Sequence, residues 1–506
     1  MLSSNPRLVM LPPSQLGRGR RLADTQTADI RALLGGGSGE DRLAATHFVI
    51  GALFLLVGGT LQLLSLISVR FADLFPLSHG RLEPTANLTL MIGFAAISLT
   101  GGVYYVLPRL TGAHLRQRSL AGLGLLGMAG LTALGVVAMM LGLGDGSQPF
   151  GLPWWLDVPL ALVLFVPLLV TLDTVRHRTE EWSFVTLWFV MGGVAWLPLL
   201  YLAHLAGELP WASSVTIAYS EVFFSAGFVT MYLITVGSGL VYYTVVKELD
   251  VPLASRQLAV VGFWSLGFAA VWWGTAQLLF GPGPTWIAGV SAALGLAFPI
   301  GALANAANVS VSLEGSWSKM GEEPGVLSGV LGLYLAVGVA LVAALAGFPS
   351  VGAYTSVTPF WEAIEYVALS GVGTLLIAGV SFAALPRLVG RQLETAAKAR
   401  RFQRLTITGS VGVLVSLGAA GIMSGYSWIA GSNSGAYIDA GEGWGAGLGG
   451  SYDALLLIAV VFGGILLLGL GGYSFIVLGT LARGKAIPQE ILVDKRAETE
   501  EVPSDG

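Results

Sequence analysis

Residues 360–386 read FWEAIEYVALSGVGTLLIAGVSFAALP. Beyond Glu365 this stretch reaches Pro386 without a charged residue. An apolar run of about 18 or more residues reads as a membrane-spanning helix, because hydrocarbon offers no partner to exposed backbone groups. Eleven further runs of this kind surround it. Taken together, the spans fall near 44–69, 86–108, 119–142, 152–172, 182–206, 214–246, 257–280, 284–312, 324–346, 360–386, 403–430 and 454–482. Barrel strands would instead give short alternating segments.

Composition agrees with these spans. The 506 residues are 54% hydrophobic and 11% charged, and mean hydropathy is +0.75, which excludes an ordinary soluble domain or a disordered chain. The 70 glycines suit close packing of helices in a bilayer. A net charge of −4 gives no basic excess for nucleic acid. With no cysteine, disulfides, thiolate catalysis and Cys-ligated clusters are excluded. Of the 26 Lys and Arg, 24 lie in 1–43, in the loops after even-numbered spans and in the tail; Arg70 and Arg81 alone lie on the other side. Cytoplasmic loops attract Lys and Arg, so both termini are expected in the cytoplasm of a prokaryotic-type plasma membrane. The expected division is a cytoplasmic arm and linker at 1–43, a twelve-helix domain at 44–482, and a polar cytoplasmic tail at 483–506. Segment 431–453, rich in Gly, Ser and acids, reads as an outer loop that either caps the outer face or is mobile at the surface.

Several spaced motifs then carry a resemblance. They are Gly80-Arg81-Leu82-Glu83-Pro84, Val103 to Pro108 (VYYVLP), Val241-Tyr242-Tyr243 with Lys247 and Pro252, Phe263-Trp264 with Trp272 and Gly274, Gly315 to Lys319 (GSWSK), and Leu385 to Arg391 (LPRLVGR). In order and spacing, over roughly residues 79–430, they resemble subunit I of the haem-copper oxidase superfamily, in the branch of the cbb-type oxidases and nitric oxide reductases. The resemblance implies an all-α integral membrane bundle of twelve helices, two haems and copper B, and the activity of a terminal oxidoreductase of the cytochrome c oxidase type. It also implies histidine ligands on the second, sixth, seventh and tenth helices, since neutral imidazole gives a lone pair to the metal without carrying charge into the bilayer.

Counted from the motifs, the implied ligand positions hold Ala86 on the second helix, Ala226 on the sixth, Ala276 and Gln277 on the seventh, and Ile364 and Tyr366 on the tenth. None is an imidazole, and no histidine follows His204 anywhere in the chain. Only Tyr366 could ligate iron, as phenolate does in some haem enzymes. The expectation is therefore a chain with no haem, copper or other metal cofactor and no catalytic residue. Its former cofactor space would be filled by side chains, lipid or another apolar ligand; Phe223, Phe224, Phe228, Trp272, Trp273 and Trp361 lie on helices that would border it and read either as lipid-facing or core aromatics or as a collapsed former cofactor pocket.

Ionisable residues inside a membrane usually face protein or water. Glu221, Glu362, Glu365, Asn87 and Gln277 all fall toward the outer third of their spans. They read either as solvated interfacial groups or as the lining of a polar cavity or short proton path. Asn305 and Asn308 read as interhelical hydrogen-bonding residues. Of the histidines, His114 and His177 sit in arginine-bearing inner loops; His47, His79 and His204 are too scattered in sequence to suggest a metal site. No Walker A loop, Gly-x-Ser-x-Gly or His-Glu-x-x-His occurs.

Three functions stand open on this reading. The first is a non-catalytic subunit of, or beside, a respiratory electron-transport complex, with the lipid bilayer and other membrane subunits as partners and no nucleic acid. The second is a proton- or solute-conducting membrane protein that uses its intramembrane glutamates. The third is a terminal oxidase with unconventional ligation.

Overall fold

The computed structural model describes residues 39–71, 77–144, 146–180, 184–209, 211–393, 396–434 and 444–487. Among them, twelve helices are long and apolar enough to cross a membrane. They are α1 (Gly39–Arg70), α2 (His79–Thr111), α3 (Arg118–Met140), α4 (Trp154–Arg176), α5 (Val185–Gly207), α6 (Ser214–Leu249), α7 (Arg256–Leu278), α8 (Trp286–Ser312), α9 (Pro324–Ala346), α10 (Pro359–Val389), α11 (Ala397–Ile429) and α12 (Ser451–Arg483). We call the end at which α1 stops and α2 starts the upper end. Neighbours in sequence pack in pairs, α1 on α2, α3 on α4, α7 on α8, α9 on α10 and α11 on α12, and α12 returns to α1.

Three helices form the centre. α2 is buried along its whole apolar window, and α6 and α10 are buried along nearly all of theirs. Each widens into a π-helical segment, Thr89–Ala96 in α2, Phe228–Ile234 in α6 and Val367–Val372 in α10, and the three segments touch one another. Such segments insert one extra residue into a turn and recur at functional sites. The remaining helices turn apolar side chains such as Leu126, Leu134, Leu162 and Leu468 outward, as a lipid-facing surface requires. Trp154, Trp211, Trp286 and Trp428 are exposed at the upper end, where an aromatic belt would meet the headgroups.

Close packing depends on glycine at specific places. A Cβ on Gly379 of α10 would lie 3.0 Å from the Cα of Gly329 on α9, so the two backbones meet directly. Three of the motifs that carried the resemblance, Val103 to Pro108, Val241 to Tyr243 and Leu385 to Arg391, converge at the lower end. The Tyr105 and Tyr243 rings stand 6.1 Å apart, and the Arg109 guanidinium lies 4.1 Å above Tyr105. Arg109 also reaches Asp41 at 3.1 Å, and Arg387 holds Glu248 with both guanidinium nitrogens, one at 3.1 Å.

Some local boundaries differ from the sequence reading. α2 starts at His79, so His79 is a helical residue. The seventh and eighth spans are interrupted: α7 is α-helical only over Arg256–Ala269 and resumes as a 3₁₀ turn at Gly274–Leu278, while α8 divides into Trp286–Leu294 and Ala297–Ser312. Of segment 431–453, read as a loop, residues 431–434 and 444–453 are helical, and 435–443 lie outside the described residues. The arm at 1–43 and the tail at 483–506 also lie outside them, apart from 39–43, which belong to α1, and 483–487. Asn305 and Asn308 are fully buried and bridge elements: Tyr242 donates to Asn305 Oδ1 at 2.7 Å, and Asn308 exchanges two bonds with the Ser255 backbone at 2.8 and 2.9 Å.

Candidate functional site

At the upper end a pocket opens between α1, α2, α10 and α11, lined by Gln62, Ser65, His79, Glu83, Ala86, Asn87, Glu362, Glu365 and Tyr366 among others. Helical periodicity builds it. His79 and Glu83 are four apart on the first turns of α2, and Glu362 and Glu365 are three apart on the first turns of α10, so each pair shares a face. Tertiary packing then turns the two faces toward each other. His79 Nε2 lies 3.2 Å from Glu83 Oε2 and 3.8 Å from Glu362 Oε1. The other ring nitrogen, Nδ1, lies 2.8 Å from Ser65 Oγ and 3.3 Å from the Ser65 carbonyl on α1. Gln277 of α7 donates to Glu365 Oε1 at 3.2 Å. Deeper in the bundle, Ser370 in the π segment of α10 donates to Gln62 Oε1.

Among the described residues, the pocket wall carries three carboxylates and one imidazole, with no Lys or Arg. Arg81, two residues from Glu83 and so on nearly the opposite face of α2, points its guanidinium toward Gly142 just past the end of α3, away from the pocket. The arrangement can therefore hold protons or a cation, and an anionic group would be repelled.

Four of the five polar residues singled out in the sequence gather here. Glu362, Glu365 and Asn87 line the pocket, and Gln277 joins through Glu365. Glu221 lies elsewhere: its Oε1 accepts the Gln148 backbone N–H at 2.9 Å and so ties α6 to the α3–α4 loop. His79, read as an outer-loop residue, and Glu83, read only as part of a motif, are the members that sequence reasoning missed. Their four-residue spacing was the available signal. A second buried polar group also escaped it, where Tyr201 on α5 donates to Asp157 on α4 at 2.6 Å, with His204 stacked on Phe224 at 5.1 Å and 3.3 Å from Glu208.

The positions counted as family ligand positions divide between this pocket and the core. Ala86 and Tyr366 line the pocket from opposite helices. Ile364 and Ala226 are fully buried and Ala276 is 1% exposed. At Gly274 the backbone of α7 comes so near α6 that a Cβ would lie 2.6 Å from the Ala226 methyl and 2.6 Å from the Val222 carbonyl oxygen. Aromatic rings run beside this contact: Phe150, Phe224, Phe228 and Tyr232 succeed one another at 5.5, 6.2 and 5.4 Å, and the Tyr232 hydroxyl donates to the Ala96 carbonyl at 3.2 Å. Trp273 packs 5.0 Å from Phe298 and 6.4 Å from Trp361. Phe224, Phe228, Trp273 and Trp361 are buried, while Phe223 and Trp272 are half-buried.

Comparison with known proteins places this architecture. The fold is similar to that of a haem-copper terminal oxidase dimer solved by electron cryo-microscopy, with a TM-score of 0.73 over 89% of this chain and 85% of that one, at 13% identity. In sequence, the chain is 22% identical over 364 residues to cytochrome c oxidase subunit 1 of Rhodobacter capsulatus, covering 70% of this chain and 68% of that protein. It is 22% identical over 360 residues to the cbb3-type cytochrome c oxidase subunit CcoN1 of Stutzerimonas stutzeri, covering 69% and 76%. A cytochrome c oxidase subunit 1 homolog of Azorhizobium caulinodans (strain ATCC 43989) is 25% identical over 262 residues, covering 50% of this chain and 47% of its own. The description "cytochrome c and quinol oxidase polypeptide I" matches residues 42–446, from α1 to α11; the chain belongs to that family, subunit I of the haem-copper oxidase superfamily.

Proposed function

We propose that this chain is a non-catalytic membrane subunit of the haem-copper oxidase fold, holding neither haem nor copper B and acting within or beside a respiratory electron-transport complex. The observation that carries the proposal is the absence of histidine after His204, which leaves α6 to α12 without an imidazole. Alanine, isoleucine and glutamine offer no comparable donor to iron or copper.

Packing supports the same reading. A void large enough for a porphyrin would leave its lining accessible, yet Ala226, Ile364, Phe224 and Phe228 have no accessible surface and Ala276 has 1%. Near Ala86 the wall is anionic, so haem propionates would meet carboxylates. These residues do not fit the family's cofactors, and no redox step is assigned to the chain. By the distribution of Lys and Arg, both termini face the cytoplasm of a prokaryotic-type plasma membrane.

The test is an optical spectrum of the purified chain with a pyridine haemochrome assay and copper analysis. The expected result is no Soret band at stoichiometric haem and no stoichiometric copper. Stoichiometric haem would instead establish an oxidase with unconventional ligation, through Tyr366 or an unforeseen donor. Purification from native membranes in mild detergent tests the subunit role, which co-migration with respiratory proteins supports and migration as a lone monomer overturns.

One observation favours a second reading, proton conduction. Glu362, Glu365 and Gln277 form a contiguous polar track from the pocket mouth into α7. Proton flux into liposomes that falls on Glu365→Gln and not on Glu221→Gln would establish it. Flux unchanged by Glu365→Gln, or no flux at all, removes it.

A further inference from the structure

We infer that His79, Glu83 and Glu362 form a binding site for a divalent transition-metal ion, with Zn²⁺ as the fitting occupant. Three separate features of the pocket lead there.

The first is donor spacing. His79 Nε2, one carboxylate oxygen of Glu83 and one of Glu362 all lie within 4.8 Å of one another, with Nε2 at 3.2 and 3.8 Å from the two oxygens. Around a tetrahedral zinc with bonds of about 2.0–2.1 Å, neighbouring donors sit about 3.3 Å apart, the edge of the tetrahedron. The observed set needs only small side-chain shifts to close on an ion. It provides three protein ligands and leaves the fourth position to water or a pocket carboxylate, with Glu365 one helical turn from Glu362.

The second is ring orientation. Ser65 Oγ and the Ser65 carbonyl both face Nδ1, and a carbonyl can only accept, so Nδ1 carries a hydrogen and Nε2 is the nitrogen turned to the carboxylates, where a metal ion can take the place of its proton. A backbone or hydroxyl partner on the second ring nitrogen is the usual outer support of a metal-binding histidine.

The third is charge and access. Among the described residues, three carboxylates line the pocket with no Lys or Arg, and Arg81 is turned toward Gly142. The side chains of His79, Glu83 and Glu362 are 33%, 25% and 38% exposed, open enough for an ion to enter. One imidazole with carboxylates suits a borderline ion such as Zn²⁺; Mg²⁺ favours all-oxygen octahedral sites.

The experiment uses the full chain, purified in detergent without a polyhistidine tag and stripped with chelator. Zn²⁺ is titrated by calorimetry and Co²⁺ by its visible d–d bands. The expected result is one saturable site per chain and a tetrahedral Co²⁺ spectrum. His79→Ala and Glu362→Gln should each abolish that spectrum, and Ser65→Ala should weaken Zn²⁺ binding by about 10- to 100-fold. His114→Ala, an exposed histidine at the lower end, should leave it unchanged. Glu362→Gln keeps shape and removes only charge, so it decides the matter if His79→Ala misfolds. No saturable site overturns the inference and assigns the contact to an imidazolium held by two carboxylates. A site that survives both His79→Ala and Glu362→Gln overturns it as well. Neither outcome depends on whether the chain carries haem, because the haem spectrum is read separately.

Discussion

Replacing Phe228 by alanine tests whether the centre of the bundle is filled by its own side chains. Phe228 opens the π segment of α6 two residues beyond Ala226, has no accessible surface, and stands between Phe224 at 6.2 Å and Tyr232 at 5.4 Å. A helix unfolded within lipid or detergent still keeps its phenylalanine in an apolar medium, so the transfer contribution largely cancels. What remains is the cavity. Truncation removes about 100 Å³ of side chain, and at about 24 cal/mol per Å³ the loss is about 2.4 kcal/mol. Reversible unfolding in mixed SDS micelles measures it, with Leu134→Ala on the exposed face of α3 as the reference expected to move by less than about 0.5 kcal/mol. Benzene should recover part of the loss by entering the dry cavity. If Phe228→Ala is no worse than Leu134→Ala, the ring lines open space and the argument that side chains occupy the cofactor volume fails.

Tyr201→Phe leaves buried Asp157 without its 2.6 Å donor and should cost about 1–3 kcal/mol in the same assay. Arg387→Ala breaks a two-pronged, partly buried pair with Glu248 and should cost about 1.5–3 kcal/mol, with part of the loss screened at high salt. Gly379→Val drives a side chain into the Gly329 backbone and should destabilise by about 1–3 kcal/mol, while Gly464→Ala on α12, where a Cβ meets nothing within 4 Å, should be neutral.

The spans were legible because twenty or so apolar residues have few alternatives, and all twelve stand where hydropathy put them. The interruptions at Ala270 to Trp273 and at Gly295 were not, since the residues around them are as apolar as an unbroken helix. For the polar residues, sequence gives depth along a helix but not direction around the bundle. Glu221, Glu362 and Glu365 fell at one level in the chain, yet only the pair on α10 faces the pocket, while Glu221 serves the α3–α4 loop. His79 and Glu83 were visible as a four-residue pair, but the approach of Glu362 depends on how α2 and α10 lean together, which no local pattern records.

The wide turn at Val367–Val372 acts as a phase shifter between two halves of one helix. Deleting a single residue there would let it relax to an ordinary α turn, and each α residue turns the chain by about 100°. The wider turn takes up the extra residue within itself, so after the deletion the lower half stays clamped by Arg387 on Glu248 and the upper half still holds Glu362 beside His79 and Glu365 beside Gln277. Any graft of metal-binding side chains onto α10 therefore has to count through this extra residue, or every inserted group will land on the wrong face.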